Sequence, residues 1–169
     1  MKHGEEDNLA WALHDHTYGI TSDPLTQFSV VMAALIHDID HRGVPNFILC
    51  KEDPNLASVY KQKSVAEQNS VDLAWNALMD PTFADLRRCI YGDESELKRF
   101  RQLLVNSVMA TDIFDKELGL LRKKRWDTAF HATAGEGSES EIINRKATIV
   151  IEHLMQASDV AHTMQHWHI

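Results

Sequence analysis

His37, Asp38, Asp40 and His41 crowd four metal-ligand side chains into five positions, and Gly43 closes the run. An imidazole nitrogen beside a carboxylate is the mixed N/O donor set that suits zinc, iron or manganese. On a helix, His37 and His41 are four apart and Asp38 and His41 three apart, so each pair shares a face. The chemistry such a string offers is metal-dependent hydrolysis. A further carboxylate, Asp159, lies in Gln156-Ala157-Ser158-Asp159-Val160-Ala161-His162, inside an otherwise apolar helical pattern. A carboxylate in that setting needs a partner, and a cation is a good one. The competing reading of 37–43 is a solvated helix end, with Asp38 and Arg42 as an ordinary i,i+4 pair.

The elements that must position these residues read as helices throughout. A first helix covers about 5–16, and a turn containing Gly19 follows. Asp23-Pro24 starts the next, with a carboxylate cap and proline at the first helical position. Leu25, Phe28, Met32, Leu35, Ile36 and Ile39 then form an apolar stripe at helical spacing. Gly43 and Pro45 stop that helix near His41, which puts the His-Asp string on its last turn. Short helices are expected at 45–50 and 55–61. Ser64 and Glu67 read as a capping box opening a helix to about Met79, and Asp80-Pro81 starts another, to about Tyr91. Residues 94–111 are amphipathic, with Leu97, Phe100, Leu104 and Val108 on one stripe. A helix at 116–130 carries Arg122-Lys123-Lys124-Arg125, read as a solvated face. Thr133–Ser140 is a Gly/Ser/Glu loop. A long helical pattern runs from Glu141 to the end, with Ile142, Ile149 and Leu154 facing inward. The Met and Trp residues are assigned to the core. No strand is expected: the fold class is all-α, a multi-helix bundle.

Composition narrows the function. The 169 residues suit one domain or part of one, and 44% hydrophobic content supports a packed core. A net charge of −8 argues against nucleic-acid or anionic-membrane binding through bulk charge. A small phosphorylated substrate stays open, because a bound cation supplies local positive charge. Cys50 and Cys89 form no CxxC pattern, and the polar first residues do not read as a signal peptide. No apolar run approaches the roughly 20 residues of a membrane span. A reduced, cytoplasmic setting is expected, without direct membrane insertion of this segment.

The string HDIDHRG at 37–43, with QASDVAH at 156–162, VAEQNS at 65–70 and VMATDI at 108–113, resembles the class I cyclic-nucleotide phosphodiesterases. Those are all-helical members of the HD superfamily of metal-dependent phosphohydrolases. The resemblance implies that residues 1–169 are a partial catalytic domain of that type, truncated at both ends. It implies that His37, Asp38 and Asp159 hold a tighter metal, usually zinc. Asp38 also reaches a second divalent metal, magnesium or manganese. His41, Glu67 and Thr111 match groups that hold metal-bound waters, and Asp112 matches a residue bracing that region. His162 stands where the family contacts substrate, commonly with asparagine. The implied substrate is cAMP or cGMP, and the resemblance leaves room for a larger parent protein with sensor, cyclase or membrane domains.

The family also carries an upstream HNxxHA motif, which supplies the general acid and the remaining zinc ligand. No histidine in this chain is followed by asparagine. A general acid contributes about 10²–10⁴-fold, so the isolated chain is expected to turn over poorly. The rival readings are another HD-type phosphohydrolase and a catalytically dead metal-binding or regulatory module. A di-iron carrier lacks its paired Glu-x-x-His motifs here. Taken alone, Glu67 is satisfied by the capping box, and Thr111 by an ordinary helix-end cap.

Overall fold

The computed structural model describes the backbone of residues 3–131 and 138–164, and the side chains within them from residue 8 onward, except that of His162. Among the described residues every regular element is helical: α1 (His3–His16), α2 (Pro24–Ile36), α3 (Asn46–Glu52), α4 (Pro54–Val59), α5 (Val65–Met79), α6 (Ala84–Ile90), α7 (Glu94–Met109), α8 (Lys116–Phe130) and α9 (Glu139–Val160). Single turns of 3₁₀ helix precede α2 and α6 and follow α9. The all-α expectation holds. Most of the expected 133–140 loop lies outside the described residues.

Local chemistry sets the boundaries. Asp23 caps α2: its Oδ1 accepts from Thr26 N at 3.3 Å, its Oδ2 from Thr26 Oγ1 at 2.8 Å, and Pro24 occupies the first helical position. Asp93 and Asp115 cap α7 and α8 in the same way. Ser138 and Glu141 close a reciprocal capping box at the start of α9, two residues earlier than the sequence pattern suggests. At α5 the expected box does not form. Ser64 sits at φ 39°, a left-handed geometry from which its hydroxyl makes no capping bond, and Asn46 Oδ1 accepts from Ala66 N at 2.9 Å instead.

The core lies where α2, α5, α7 and α9 meet. Ala33 and Ile36, Val71 and Ala74, Leu104 and Val108, and Met155 form one buried cluster. Phe100 is fully buried, with the rings of Phe28, Trp75 and Tyr91 about it. A smaller cluster of Leu49, Ala57, Val65 and Ala66 joins α3 and α4 to the start of α5.

The face that α2 buries differs from the expected stripe. Thr26, Ser29, Ala33 and Ile36 are buried, whereas Phe28, Leu35 and Ile39 are exposed. Small side chains let α2 approach α7 closely. The helix is apolar on nearly every side, so the spacing of its large residues cannot single out the inward face. Leu154 is likewise exposed, and α9 buries Ile149, Ile151 and Met155. Trp11 and Met164 are exposed and lie outside the core to which Met and Trp were assigned.

Candidate functional site

Helix α2 ends at Ile36, so the His-Asp string is not on a helical turn. His37 N still donates to Ala33 O, but Ile39 N donates to Ile36 O and His41 N to Asp38 O, a three-residue winding. Asp40 at φ 60° and Gly43 at φ 72° then reverse the chain. The i,i+4 relation of His37 and His41 therefore does not apply. The turn is held from α5: Ser70 Oγ donates to Ile39 O at 2.7 Å and Asn69 Nδ2 to Asp40 Oδ2 at 3.2 Å. Arg42 pairs with Asp53 at 2.9 Å, not with Asp38, which removes the solvated-pair reading of this stretch.

His37 joins two parts of the chain that are far apart in sequence. Its Nε2 lies 3.4 Å from Asp38 Oδ2 and 3.3 Å from Asp159 Oδ1, the latter 122 residues away on α9. Its Nδ1 faces the Ala34 carbonyl at 2.9 Å. A carbonyl only accepts, so Nδ1 carries the hydrogen. The neutral ring then turns the lone pair of Nε2 toward two carboxylate oxygens. A proton on Nε2 or a shared cation relieves that opposition.

The donor types and paired spacings suit a cation. Two ligands with zinc bonds of about 2.0–2.1 Å on a tetrahedral centre lie about 3.3–3.4 Å apart. Among the described residues, however, no three His, Cys, Asp or Glu side chains close on one metal-sized point as they stand. The two carboxylates meet His37 separately. Asp38, with a side chain 62% exposed, can turn at little cost.

A second polar group lies beside this turn. Asn46, at the start of α3, donates from Nδ2 to Glu67 Oε2 at 2.8 Å and to Asp112 Oδ2 at 3.3 Å. Asp112 is buried, and its Oδ1 accepts from the backbone of Phe114 and Asp115 at 3.2 and 3.1 Å. Burial pushes the Glu67 carboxyl above its usual range, and the negative charge of Asp112 acts the same way. The Asn46 hydrogen bond, Glu67's own N–H and nearby His41 oppose the shift. His41 accepts from Gly43 N on Nδ1 at 3.2 Å, which leaves its Nε2 as the N–H of the neutral ring. Thr111 Oγ1 donates to Val108 O at 2.7 Å, an ordinary helix-end bond. The side chain of His162 lies outside the described residues.

The segment around Asp112 is fixed by residues for which the sequence pattern suggested no such task. Arg122 donates to Ala110 O at 2.8 Å and to Asp112 O at 2.7 Å, and Gln156 of α9 donates to Ala110 O at 2.9 Å. Arg125 grips the buried Glu152 carboxylate at 2.8 and 3.0 Å. The 122–125 run is therefore not a plain solvated face, since two of its four cations are built into the packing. Gln156 stands three positions before Asp159 on one helix, a spacing that could have flagged it. Asn46 offered no linear signal, because its partners lie 21 and 66 residues away. A cavity of about 700 Å³ between α7, α8 and α9 is lined by Met109, Leu121, Arg145 and Ile149 among others, and by none of the expected site residues.

One consequence is a pH-dependent stability difference. A carboxyl whose folded-state pKa is raised binds its proton more tightly when folded. Stability is then lost as pH climbs from the ordinary value, 4.5 for glutamate, through the raised one. Glu67→Gln removes that loss and keeps the acceptor for Asn46. Urea unfolding from pH 4 to 8 should show the variant gaining on the wild type as pH rises, most of all at neutrality. A constant difference across that range contradicts the buried setting.

The model of the 3′5′-cyclic nucleotide phosphodiesterase family matches residues 10–169. The chain is similar to the cGMP-inhibited 3′,5′-cyclic phosphodiesterase 3A of Rattus norvegicus, 32% identical over 108 residues that cover 62% of this chain and 9% of the relative. It is also similar to the high affinity cAMP-specific and IBMX-insensitive 3′,5′-cyclic phosphodiesterase 8A of Mus musculus, 27% identical over 93 residues, 55% of this chain and 11% of that one. The probable 3′,5′-cyclic-AMP phosphodiesterase pde-4 of Caenorhabditis elegans is 31% identical over 100 residues, 57% and 14% of the two chains. The matched regions are thus a small part of each relative's length. With the family match running across nearly all of its residues, the chain belongs to the 3′5′-cyclic nucleotide phosphodiesterase family.

Proposed function

We propose that this chain serves the metal-dependent hydrolysis of a 3′,5′-cyclic nucleotide, cAMP or cGMP, to its 5′-monophosphate in the protein to which it belongs. The observation that carries the reading is the meeting of His37 Nε2 with Asp38 and Asp159 at 3.4 and 3.3 Å. His37, Asp38 and Asp159 would hold a first cation, zinc, and Asp38 a second, magnesium or manganese. Such cations, when bound, supply Lewis-acid charge that draws negative charge off a phosphodiester and makes water a stronger nucleophile. This also reconciles an anionic substrate with a chain of charge −8.

The residues have separate tasks in this reading. Asp159 reaches the site from α9 and Asp38 from the turn, so packing of α9 against α2 brings the donors together. His41, Glu67 and Thr111 orient water, and Asp112 braces Glu67 through their shared contact with Asn46. His162 is assigned to substrate. Water adds to phosphorus, the bond to the ribose 3′ oxygen breaks, and that oxygen takes a proton. The family resemblance assigns that proton to the HNxxHA histidine, which no His-Asn pair in this sequence provides.

That last fact favours a second reading for the chain by itself, as a metal-holding segment with little turnover. Assays of cAMP and cGMP hydrolysis with zinc and magnesium separate the two. The 169-residue chain should stay near background, and robust turnover by it refutes the second reading. The longer protein should hydrolyse at least one cyclic nucleotide and lose that activity in Asp159→Ala. Failure to hydrolyse either one, with both metals supplied, refutes the first. No helix among the described residues is long and apolar enough to cross a membrane, and we place the segment in the cytoplasm as part of the same proposal.

A further inference from the structure

We propose that Asn46 is a positioning residue whose carboxamide clamps Glu67 and Asp112 into one fixed carboxylate pair beside His41, and so sets the direction in which Glu67 meets water. This rests on the hydrolytic reading above and adds to it a residue with a defined task.

The carboxamide is used almost to capacity. Its Nδ2 carries two hydrogens and faces two carboxylate oxygens, Glu67 Oε2 at 2.8 Å and Asp112 Oδ2 at 3.3 Å. Its Oδ1 accepts from Ala66 N at 2.9 Å. The opposite orientation would set an oxygen against two carboxylates and an amino group against an N–H, so the network admits only one. Asn46, Glu67 and Asp112 come from separate parts of the fold: the start of α3, the first turn of α5, and the segment after α7.

Two carboxylates this close repel, and either would swing away or take a proton without a shared donor. Asp112 cannot swing, because its other oxygen is held by two backbone N–H groups and its carbonyl by Arg122. The Glu67 carboxylate has its own backbone N–H as a second donor, and Asn46 is what ties it to the fixed carboxylate. The ionisable groups at the clamp are Glu67 from α5, Asp112 after α7 and His41 from the turn after α2. A neutral side chain with two donors binds both carboxylates without adding charge. Aspartate in its place keeps an acceptor for Ala66 N but brings no donor and a third negative charge. That substitution separates clamping from the helix-capping role of the same residue.

The test is carbon- and nitrogen-detected NMR on the metal-free 169-residue chain between pH 3 and 9. In the wild type, the Asn46 carboxamide signals should move with the same midpoint as the Glu67 carboxyl carbon. In Asn46→Asp, helix content by circular dichroism should persist while the Glu67 midpoint rises by about one pH unit or more. Carboxamide signals that stay flat while Glu67 titrates overturn the proposal. So does an unmoved Glu67 midpoint in a folded Asn46→Asp chain. Should that variant not fold, the wild-type carboxamide titration decides alone. Neither readout needs metal. A clamp without zinc binding at His37 contradicts the proposed function only, and zinc binding with a flat carboxamide contradicts the clamp only.

Discussion

Replacing His37 with alanine should lower the affinity of the chain for zinc by about 10²–10³-fold. Zinc sites built from protein side chains bind with roughly 10–16 kcal/mol in all. Shared over three or four ligands, that is about 3–4 kcal/mol for each, and every 1.4 kcal/mol is tenfold. His37 is the side chain that both carboxylates face, at 3.4 and 3.3 Å, so its loss removes the nitrogen donor that Asp38 and Asp159 share. Competition with a chromophoric chelator measures the effect. Asp40→Ala is the control: it lies two residues from Asp38 but turns to Asn69, and should leave zinc affinity within a factor of about three. Equal losses for the two variants would mean that zinc follows the general charge of the turn and not the His37 pair.

Phe100→Ala should cost the fold about 4 kcal/mol, the middle of the range for burying and then deleting an aromatic side chain. Phe100 has no exposed surface, and three rings pack around it at centroid distances of 6.1–6.2 Å. It sits on α7, against which α2 lies, so the loss falls on the contact that carries the His37 turn. Domains of this size hold only about 5–15 kcal/mol in total. The variant should therefore unfold at markedly lower urea, and a loss under about 1 kcal/mol would show that this ring cluster is not consolidated. Saturating zinc should recover part of the stability by mass action if the site closes in the folded state alone.

Much of the helical frame follows from local rules. Asp23-Pro24, Asp80-Pro81 and the amphipathic pattern through Phe100, Leu104 and Val108 each act within a few residues, and each appears at its expected place. What failed depends on distant partners. The α2 helix is apolar on most sides, and only its packing with α5, α7 and α9 selects Ser29, Ala33 and Ile36 as the buried face. Ser64 and Glu67 have the residues of a capping box, yet Asn46 takes the helix N–H and redirects Glu67. The run Arg122–Arg125 looks like a solvated block until Ala110, Asp112 and Glu152 present the acceptors that bind its arginines.

The site divides along the same line. The density of ligand-type residues at 37–41 is visible in the sequence, although the i,i+4 geometry first ascribed to it is replaced by a turn tied to Asn69 and Ser70. The apolar surroundings of Asp159 marked it as a carboxylate needing a partner, but nothing in linear spacing joins it to a histidine 122 positions earlier. Only the resemblance of two separated motifs to one family links them in the sequence. Asn46, which braces the neighbouring carboxylates, is disclosed only by tertiary contacts, whereas the spacing of Gln156 from Asp159 was open to reading.

The most direct measurement is diffraction from crystals of the zinc-loaded chain, collected on both sides of the zinc absorption edge. One dominant anomalous peak is expected about 2.0–2.2 Å from His37 Nε2 and from an oxygen of each of Asp38 and Asp159. Zinc seated on other histidines, with nothing between His37 and the α9 carboxylate, would contradict it.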